Sequence, residues 1–223
     1  MLSAVAVGCV AASAMTLHHD SHHAAPPAIT GETAAQPLQA APAQTDLTLP
    51  PPTGSVNGVP IGYPQSVAGA VAVAYGYSRV ATGLDVEAAL RAVGSLADPT
   101  AGWFDQTRHD EASAGLIAQR KKLGLPVAGP VGSAAIIVTP AGYQVLGTPT
   151  STAVTVLTLN VISMTATNAV KSSGLLVYRW TLRWNGTRWL ATTVYVNDAD
   201  QRLAVTPFTS QARSAGWSVA HGG

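Results

Sequence analysis

Apolar residues recur at helical spacing in the first part of the chain and at strand spacing after Gly129-Pro130. Three helices are predicted before that point, over 66–83, 85–98 and 100–123. Each begins with a residue suited to cap a helix N-terminus, and these are Ser66, Asp85 and Thr100. Helices followed by strands indicate an α+β fold in which the helices pack on a curved antiparallel sheet.

The strand region begins with two short runs, Ala134–Thr139 and Ala141–Leu146. We expect them to be separate strands because Pro140 interrupts them. The next run, Val154–Met164, is largely apolar on both alternating faces, which predicts a strand in the centre of the sheet. A hairpin comes next, over 175–196, and is the clearest local pattern in the chain.

The hairpin is predicted from Asn185-Gly186, a dipeptide that accommodates the positive φ angles of a two-residue type I′ turn. The resulting register places Trp180 opposite Ala191 and Arg183 opposite Arg188, so one face is aromatic and the other is basic. Two arginines directly opposite each other cost up to about 1 kcal/mol, and the basic face therefore needs solvent or an anionic neighbour. We select these residues of the ribbon as interaction candidates: Arg179, Arg183, Arg188, Trp180 and Trp189.

Far from the turn, both faces of the hairpin become apolar. The residues concerned are Leu175, Val177, Val194 and Val196. One face can pack on the helices, but the other still needs cover. We therefore expect the domain to self-associate through its sheet, unless the C-terminal tail covers that face.

The N-terminus is an uncharged segment, Leu2–Leu17, of sixteen residues. Four interpretations are open: a single-pass membrane anchor, a cleaved signal peptide ending near Ala12-Ser13-Ala14, a lipoprotein modified at Cys9 and an ordinary soluble helix. The first basic residue of the chain is Arg79, and the absence of positive charge before it permits translocation of the downstream chain. The sequence predicts a body outside the cytoplasm, either tethered to the membrane or secreted.

Composition divides the chain into four parts: an anchor or signal segment (1–17), a disordered linker rich in His, Ala and Pro (18–54), an α+β domain (55–200) and a C-terminal tail (201–223). The linker contains almost no large apolar residue and cannot bury enough surface to offset the entropy of ordering it. It begins with a histidine cluster, His18–His23, whose i,i+4 pairs have the spacing of a transition-metal site if they are helical. The alternative for this cluster is a solvated stalk next to the membrane.

The order of elements, with three helices before a Trp-rich hairpin, resembles the nuclear transport factor 2-like, or ketosteroid-isomerase-like, cone. The prefix 59–64, Val-Pro-Ile-Gly-Tyr-Pro, and the subsequent 68–72, Ala-Gly-Ala-Val-Ala, are similar to actinobacterial membrane-anchored proteins that carry such a domain. Those proteins resemble the scaffold proteins of conjugative type IV secretion systems. The resemblance covers about Ser55–Val196 and implies a scaffold that contacts other membrane or secretion-apparatus proteins.

The chain carries few groups that indicate catalysis. It has no G-x-S-x-G elbow, HExxH motif or phosphate-binding glycine loop, and its single cysteine, Cys9, excludes an intrachain disulfide. Asp105 lies four residues before His109 and could form an acid–base dyad in a cone-shaped pocket. The alternative is a solvated polar helix face, which the neighbouring charged residues favour. The formal charge of +1 does not favour direct nucleic-acid binding. We therefore predict a noncatalytic interaction domain without cofactor, and the alternative is an exported small-molecule-binding or isomerase- or dehydratase-like cone protein.

Overall fold

The structure, a computed structural model, describes residues 45–80, 83–166 and 169–222. In these ranges the helices are α1 (Val67–Val80), α2 (Val86–Leu96), α3 (Gln106–Lys122), α4 (Asp198–Gln201) and α5 (Ser210–Ser214). The strands are β1 (Leu47–Leu49), β2 (Gly54–Val56), β3 (Val59–Ile61), β4 (Ala135–Leu146), β5 (Ala153–Ala166), β6 (Ala169–Trp184), β7 (Trp189–Tyr195) and β8 (Ala220–Gly222). Strands β4 to β7 form an antiparallel sheet in sequential order, which confirms the α+β class.

Two of the three helix caps are confirmed, and the third prediction is wrong. The Ser66 hydroxyl accepts the Gly69 N–H at 3.1 Å, and the Asp85 carboxylate accepts the Ala88 N–H at 3.0 Å. Helix α3, by contrast, begins at Gln106 and not at Thr100, because Asp105 is its N-cap. The Thr100 hydroxyl and N–H both donate to the carboxylate of Asp98, so Thr100 closes a turn at the end of α2.

The sheet has β5 and β6 in its centre, as predicted for the Val154–Met164 run. The predicted break at Pro140 is wrong, since β4 is a single strand of 12 residues. The pairing with β5 shifts register between Pro140 and Gly142, which accommodates the ring at a bulge. Strand β4 also lies at an edge of the sheet, where a residue without an N–H costs least.

The hairpin exists, but its turn and register differ from the prediction. Trp184 pairs with Trp189 and Arg183 with Leu190, because the turn is centred one residue later than Asn185-Gly186. Residues 185–188 connect the two strands. Within this connection the Asn185 side-chain oxygen accepts the N–H groups of Thr187 at 3.0 Å and Arg188 at 2.9 Å. The resulting two-residue register shift keeps the aromatic residues on one face, since side chains alternate with a period of two.

A bulge in β7 then changes which residues face the helices. The register shifts again between Thr181 and Leu182, so that Val194 and not Ala191 lies opposite Trp180. One extra residue in a strand moves all later side chains to the other face. Val194 and Val196 are thereby buried in the main core, with Trp180 and α1.

The C-terminal tail covers the second face of the sheet. Leu157, Leu159 and Val177 on that face pack with Ala212 and Trp217 of the tail. The Trp217 indole N–H donates to the Leu203 carbonyl at 2.8 Å, and this hydrogen bond joins the two ends of the covering segment. The apolar character of both sheet faces is therefore explained within one chain, and self-association stays a prediction.

Strand β1 joins the two ends of the described chain. It lies within the range 18–54 assigned to the linker, and it pairs in parallel with β8. Asp46, just before β1, forms an ion pair with Arg213 at 2.9 Å and accepts the Val219 N–H at 3.0 Å. The hydrogen bonds from Arg213 and Val219 lower the pKa of Asp46 to about 2.

None of the described helices is long and apolar enough to cross a membrane. The Leu2–Leu17 segment, Cys9 and the histidine cluster 18–23 lie outside the described residues.

Candidate functional site

The two tryptophans chosen as interaction candidates are buried in the main core. Trp180 is 1% exposed and Trp189 is 2% exposed. The Trp180 indole N–H donates to the Thr158 hydroxyl, and that of Trp189 donates to the Pro64 carbonyl, both at 2.9 Å. Both polar groups are thus satisfied inside the protein, and neither indole is presented to a partner.

The basic face of the hairpin is neutralised by buried aspartates. Arg183 contacts the carboxylate of Asp98 through Nε at 2.7 Å and Nη2 at 2.5 Å. Burial alone would raise the pKa of Asp98, but hydrogen bonds from Thr100 and Arg183 outweigh it and lower the pKa. The predicted Arg183–Arg188 pair is wrong, because Leu190 is opposite Arg183. The anionic neighbour that the basic face needs is Asp98.

Arg179 has the same arrangement four residues earlier in the strand. Its guanidinium binds both carboxylate oxygens of Asp200, with an Nε–Oδ2 distance of 2.8 Å. The Asp200 carboxylate raises the pKa of Arg179 and also accepts the Asn197 side-chain amide at 2.7 Å. Arg188, at the turn, is half-buried and forms no ion pair with any described residue. Of the three arginines, two therefore hold the sheet to its flanking segments, and these ion pairs leave little free charge for a ligand.

The interior behind Trp180 is filled with aromatic side chains. The Tyr77 ring packs edge-on against Trp180, with ring centroids 4.9 Å apart. Burial raises the pKa of Tyr77 far above its usual value, and burial likewise raises the pKa of Tyr75. Asn160 donates its amide to Thr158 and to the Leu176 carbonyl. The raised pKa values keep both tyrosine hydroxyls neutral near neutral pH, and among the described residues the Tyr75 and Tyr77 hydroxyls and the Asn160 Oδ1 atom have no hydrogen-bond partner.

A cavity lies between α3 and the end of β7, and we call it the α3–β7 groove. It encloses about 720 Å³ and opens to solvent. Its apolar wall consists of Val93, Phe104, Ala112, Val194 and Val196. The polar groups at its rim are Asp105, Arg108, Asn197 and Asp198. A mainly apolar groove with a few polar groups is typical of a binding site.

Local structure explains how the groove forms. Gly102 has a φ of 64°, which turns the chain before Asp105 caps α3. Helix α3 packs on α2 through Ala112 and Leu116 and leaves space between its first turns and β7. The Trp103 indole donates to the Ala191 carbonyl at 2.5 Å and so holds this loop to β7. This site was not predicted from the sequence, and the buried Val194 and Val196 at a strand end are its only local signal.

The Asp105–His109 pair does not form a dyad. The Asp105 carboxylate accepts the Arg108 N–H at 2.9 Å, as the cap of α3. The His109 ring lies 3.3 Å from a carboxylate oxygen of Asp110, and its side chain is 41% exposed. Asp105 lines the groove whereas His109 does not. The two side chains therefore have separate surroundings.

The described residues contain no group of three or more His, Cys, Asp or Glu side chains placed to hold a metal ion. A scan of protein-family models and searches of curated proteins and of solved structures return no match for this chain.

Proposed function

We propose that this chain is a noncatalytic scaffold or interaction domain, held at the membrane with its folded part outside the cytoplasm. Its partners in this proposal are other membrane or secretion-apparatus proteins, as in conjugative DNA transfer by type IV secretion-like systems. The fold of the proposal is the ketosteroid-isomerase-like cone, a choice favoured by three helices followed by a sequential antiparallel sheet.

The observation that carries the proposal is the filled interior. An enzyme of the cone type needs a pocket in which polar groups converge on a substrate. The indoles of Trp180 and Trp189 occupy this space, and their N–H groups already donate hydrogen bonds within the protein. Two arginines of the sheet, Arg179 and Arg183, form ion pairs with buried aspartates. This arrangement favours a stable platform over a reaction site.

The location outside the cytoplasm is supported by the sequence. The uncharged Leu2–Leu17 segment precedes a stretch without a single Lys or Arg up to Arg79. The pairing of β1 with β8 joins the chain that leaves this segment to the C-terminal end of the fold. In this proposal the tether is attached to the body of the domain through β1.

Proteolysis of intact protoplasts tests this location. We expect an added protease to digest the folded part of the full chain while a cytoplasmic marker protein stays intact, because the domain is exposed on the outer surface. Detergent lysis provides the control for the intrinsic sensitivity of the domain. Full protection in intact protoplasts, followed by digestion after lysis, would contradict the proposal. Release into the medium without a membrane-bound fraction would favour the secreted alternative.

A second candidate function is that of an exported small-molecule-binding or isomerase- or dehydratase-like cone protein. The α3–β7 groove favours it, because about 720 Å³ is within the range of ligand pockets. The acid–base candidates that the sequence offers are Asp105, which lines the groove, and His109, which lies about one turn further along α3 and does not line it.

Replacing His109 by alanine separates the two functions. The side chain is partly exposed, so we expect its loss to change the free energy of unfolding by less than about 0.5 kcal/mol. A scaffold should retain partner assembly or DNA transfer in this variant. Thermal melting and a transfer or assembly assay measure both quantities, and His221→Ala is the matched control at an exposed histidine. Loss of activity with unchanged melting would favour the enzyme.

A further inference from the structure

The α3–β7 groove lies at an open edge of the sheet. Strand β7 is the last strand of the four, and among the described residues only Ala97 pairs with its outer side, at Ala191. The Asp98 N–H donates to the Ala191 carbonyl at 2.7 Å, and no further backbone bond of this kind occurs along the groove residues 193–196 in the described chain. An unpaired edge strand offers N–H and C=O groups to an added strand.

The groove wall suits the side chains of such a strand. Val194 and Val196 face the helical layer, and together with Phe104 they form an apolar floor beside the strand edge. An added β-strand directs alternate side chains to one face. Alternate apolar residues would therefore enter the floor while the residues between them remain at the rim.

The rim favours a positive charge on the incoming segment. Asp105 and Asp198 are both exposed at the rim. The only cation among the groove residues of the described chain is Arg108, and its guanidinium is paired with Glu111 at 2.7 Å. The charged groove residues, two aspartates and one arginine, carry a net negative charge, which complements a Lys or Arg side chain placed between the apolar positions.

We propose that the α3–β7 groove binds an extended peptide segment of a partner protein, which adds as a strand to the outer edge of β7. The segment has alternating apolar side chains and at least one Lys or Arg. This inference rests on the proposed scaffold function and specifies how the scaffold recognises a partner. Main-chain bonds to β7 supply affinity, whereas the floor and the acidic rim supply specificity.

Defined peptides test the recognition by charge. The probe is an acetylated, amidated Val-Lys-Val-Thr-Val-Lys-Val peptide, titrated into the full chain in mild detergent and measured by calorimetry. A peptide with Glu in place of both Lys residues is expected to bind at least about tenfold more weakly. Asp198→Lys should weaken the Lys peptide about fivefold. Glu87→Lys, an exposed charge reversal in the first turn of another helix, should leave its affinity unchanged.

N-methylated peptides test the strand addition. Two versions of the Lys peptide carry methyl groups on alternate amides, so that each version blocks one of its two backbone edges. Only one version should lose binding, because a strand on β7 uses one edge. Equal affinity of both versions, loss of both, or no binding of the parent peptide would each overturn the proposal.

Sedimentation of the full chain without peptide tests whether a second copy of this chain occupies the groove. The groove should be available to the probe whether the chain is a monomer or self-associates through the other face of its sheet. A dimer that the Lys peptide dissociates would assign the groove to a second copy of this chain and overturn the partner-peptide proposal. The protoplast experiment is independent of these titrations. Failure of the peptides with an externally exposed domain therefore rejects the recognition mode alone.

Discussion

Replacement of Trp180 by alanine is expected to lower the free energy of unfolding by about 3–5 kcal/mol, a large part of the stability of a typical domain. The indole is almost fully buried, and its ring packs edge-on against Tyr77. The opposite residue, Val194, belongs to the same core but is too small to fill the space of an indole. Urea titrations of the full chain followed by circular dichroism measure the loss.

Two further variants define the origin of this effect. Trp180→Phe keeps an aromatic ring but removes the N–H that donates to Thr158, so its cost should be well below that of the alanine variant. Trp184→Ala removes an indole of the same face that is only partly buried, and it should be milder. Equal stability losses for Trp180→Ala and Trp184→Ala would contradict a core that depends on burial at Trp180.

The helices were predictable because their signals are local. Ser66 and Asp85 stand directly before apolar residues at helical spacing, and each caps the helix after it. Thr100 has the same chemistry, but its hydroxyl is used by Asp98, which in turn binds Arg183 from a position 85 residues away. A cap that competes with a distant ion pair cannot be recognised from its own neighbours.

The faces of β6 were predictable, but the exact pairing of the hairpin and the faces of β7 beyond its bulge were not. Alternation alone assigns Trp180 and Trp184 to one face, and a register error of two residues leaves that assignment intact. The single-residue bulge near Thr192 has no local signal, since adjacent threonines suit either face. The bulge turns Val194 and Val196 toward the helices, so the floor of the α3–β7 groove could not be predicted without it.

The candidate site depends on contacts between segments that are far apart in the chain. Trp103 donates to Ala191 across 88 residues, and this contact sets the distance between the loop before α3 and β7. The sequence alone indicates a site by residue type, which favours arginines and tryptophans. Those residues form the core and its ion pairs, whereas the groove consists of ordinary apolar side chains made distinctive by their position.

Besides the Trp103–Ala191 hydrogen bond, a buried arginine joins two distant segments, and its sequence context does not indicate this role. Arg120 belongs to a basic run, Arg120-Lys121-Lys122, which complements the dipole at the last turn of α3. It is nevertheless only 2% exposed. Its guanidinium donates to the carbonyls of Leu84 at 2.7 Å, Pro126 at 2.6 Å and Gly129 at 2.8 Å. It therefore connects the start of α2 to the loop between α3 and β4.

Replacing Arg120 by methionine should lower the free energy of unfolding by about 3 kcal/mol or more. The methionine fills most of the space, but it leaves three carbonyl groups without their donors, and each lost bond to a charged group is worth about 1.5–3 kcal/mol before relaxation. Arg120→Lys keeps the charge yet can satisfy the three carbonyls less well, because its ammonium lacks the planar fork. It should lie between the wild type and Arg120→Met.

Lys121→Met is the matched control, since it makes the same kind of change one residue along at an exposed position. It should alter stability by less than about 0.5 kcal/mol. Limited proteolysis distinguishes a local from a global effect: in Arg120→Met the cleavage should appear first within 123–134, the loop that the guanidinium holds. Equal stability of Arg120→Met and Lys121→Met would show that the three carbonyl bonds contribute little, and that the packing of Leu84 with Ala134 and Ala166 alone holds the loop.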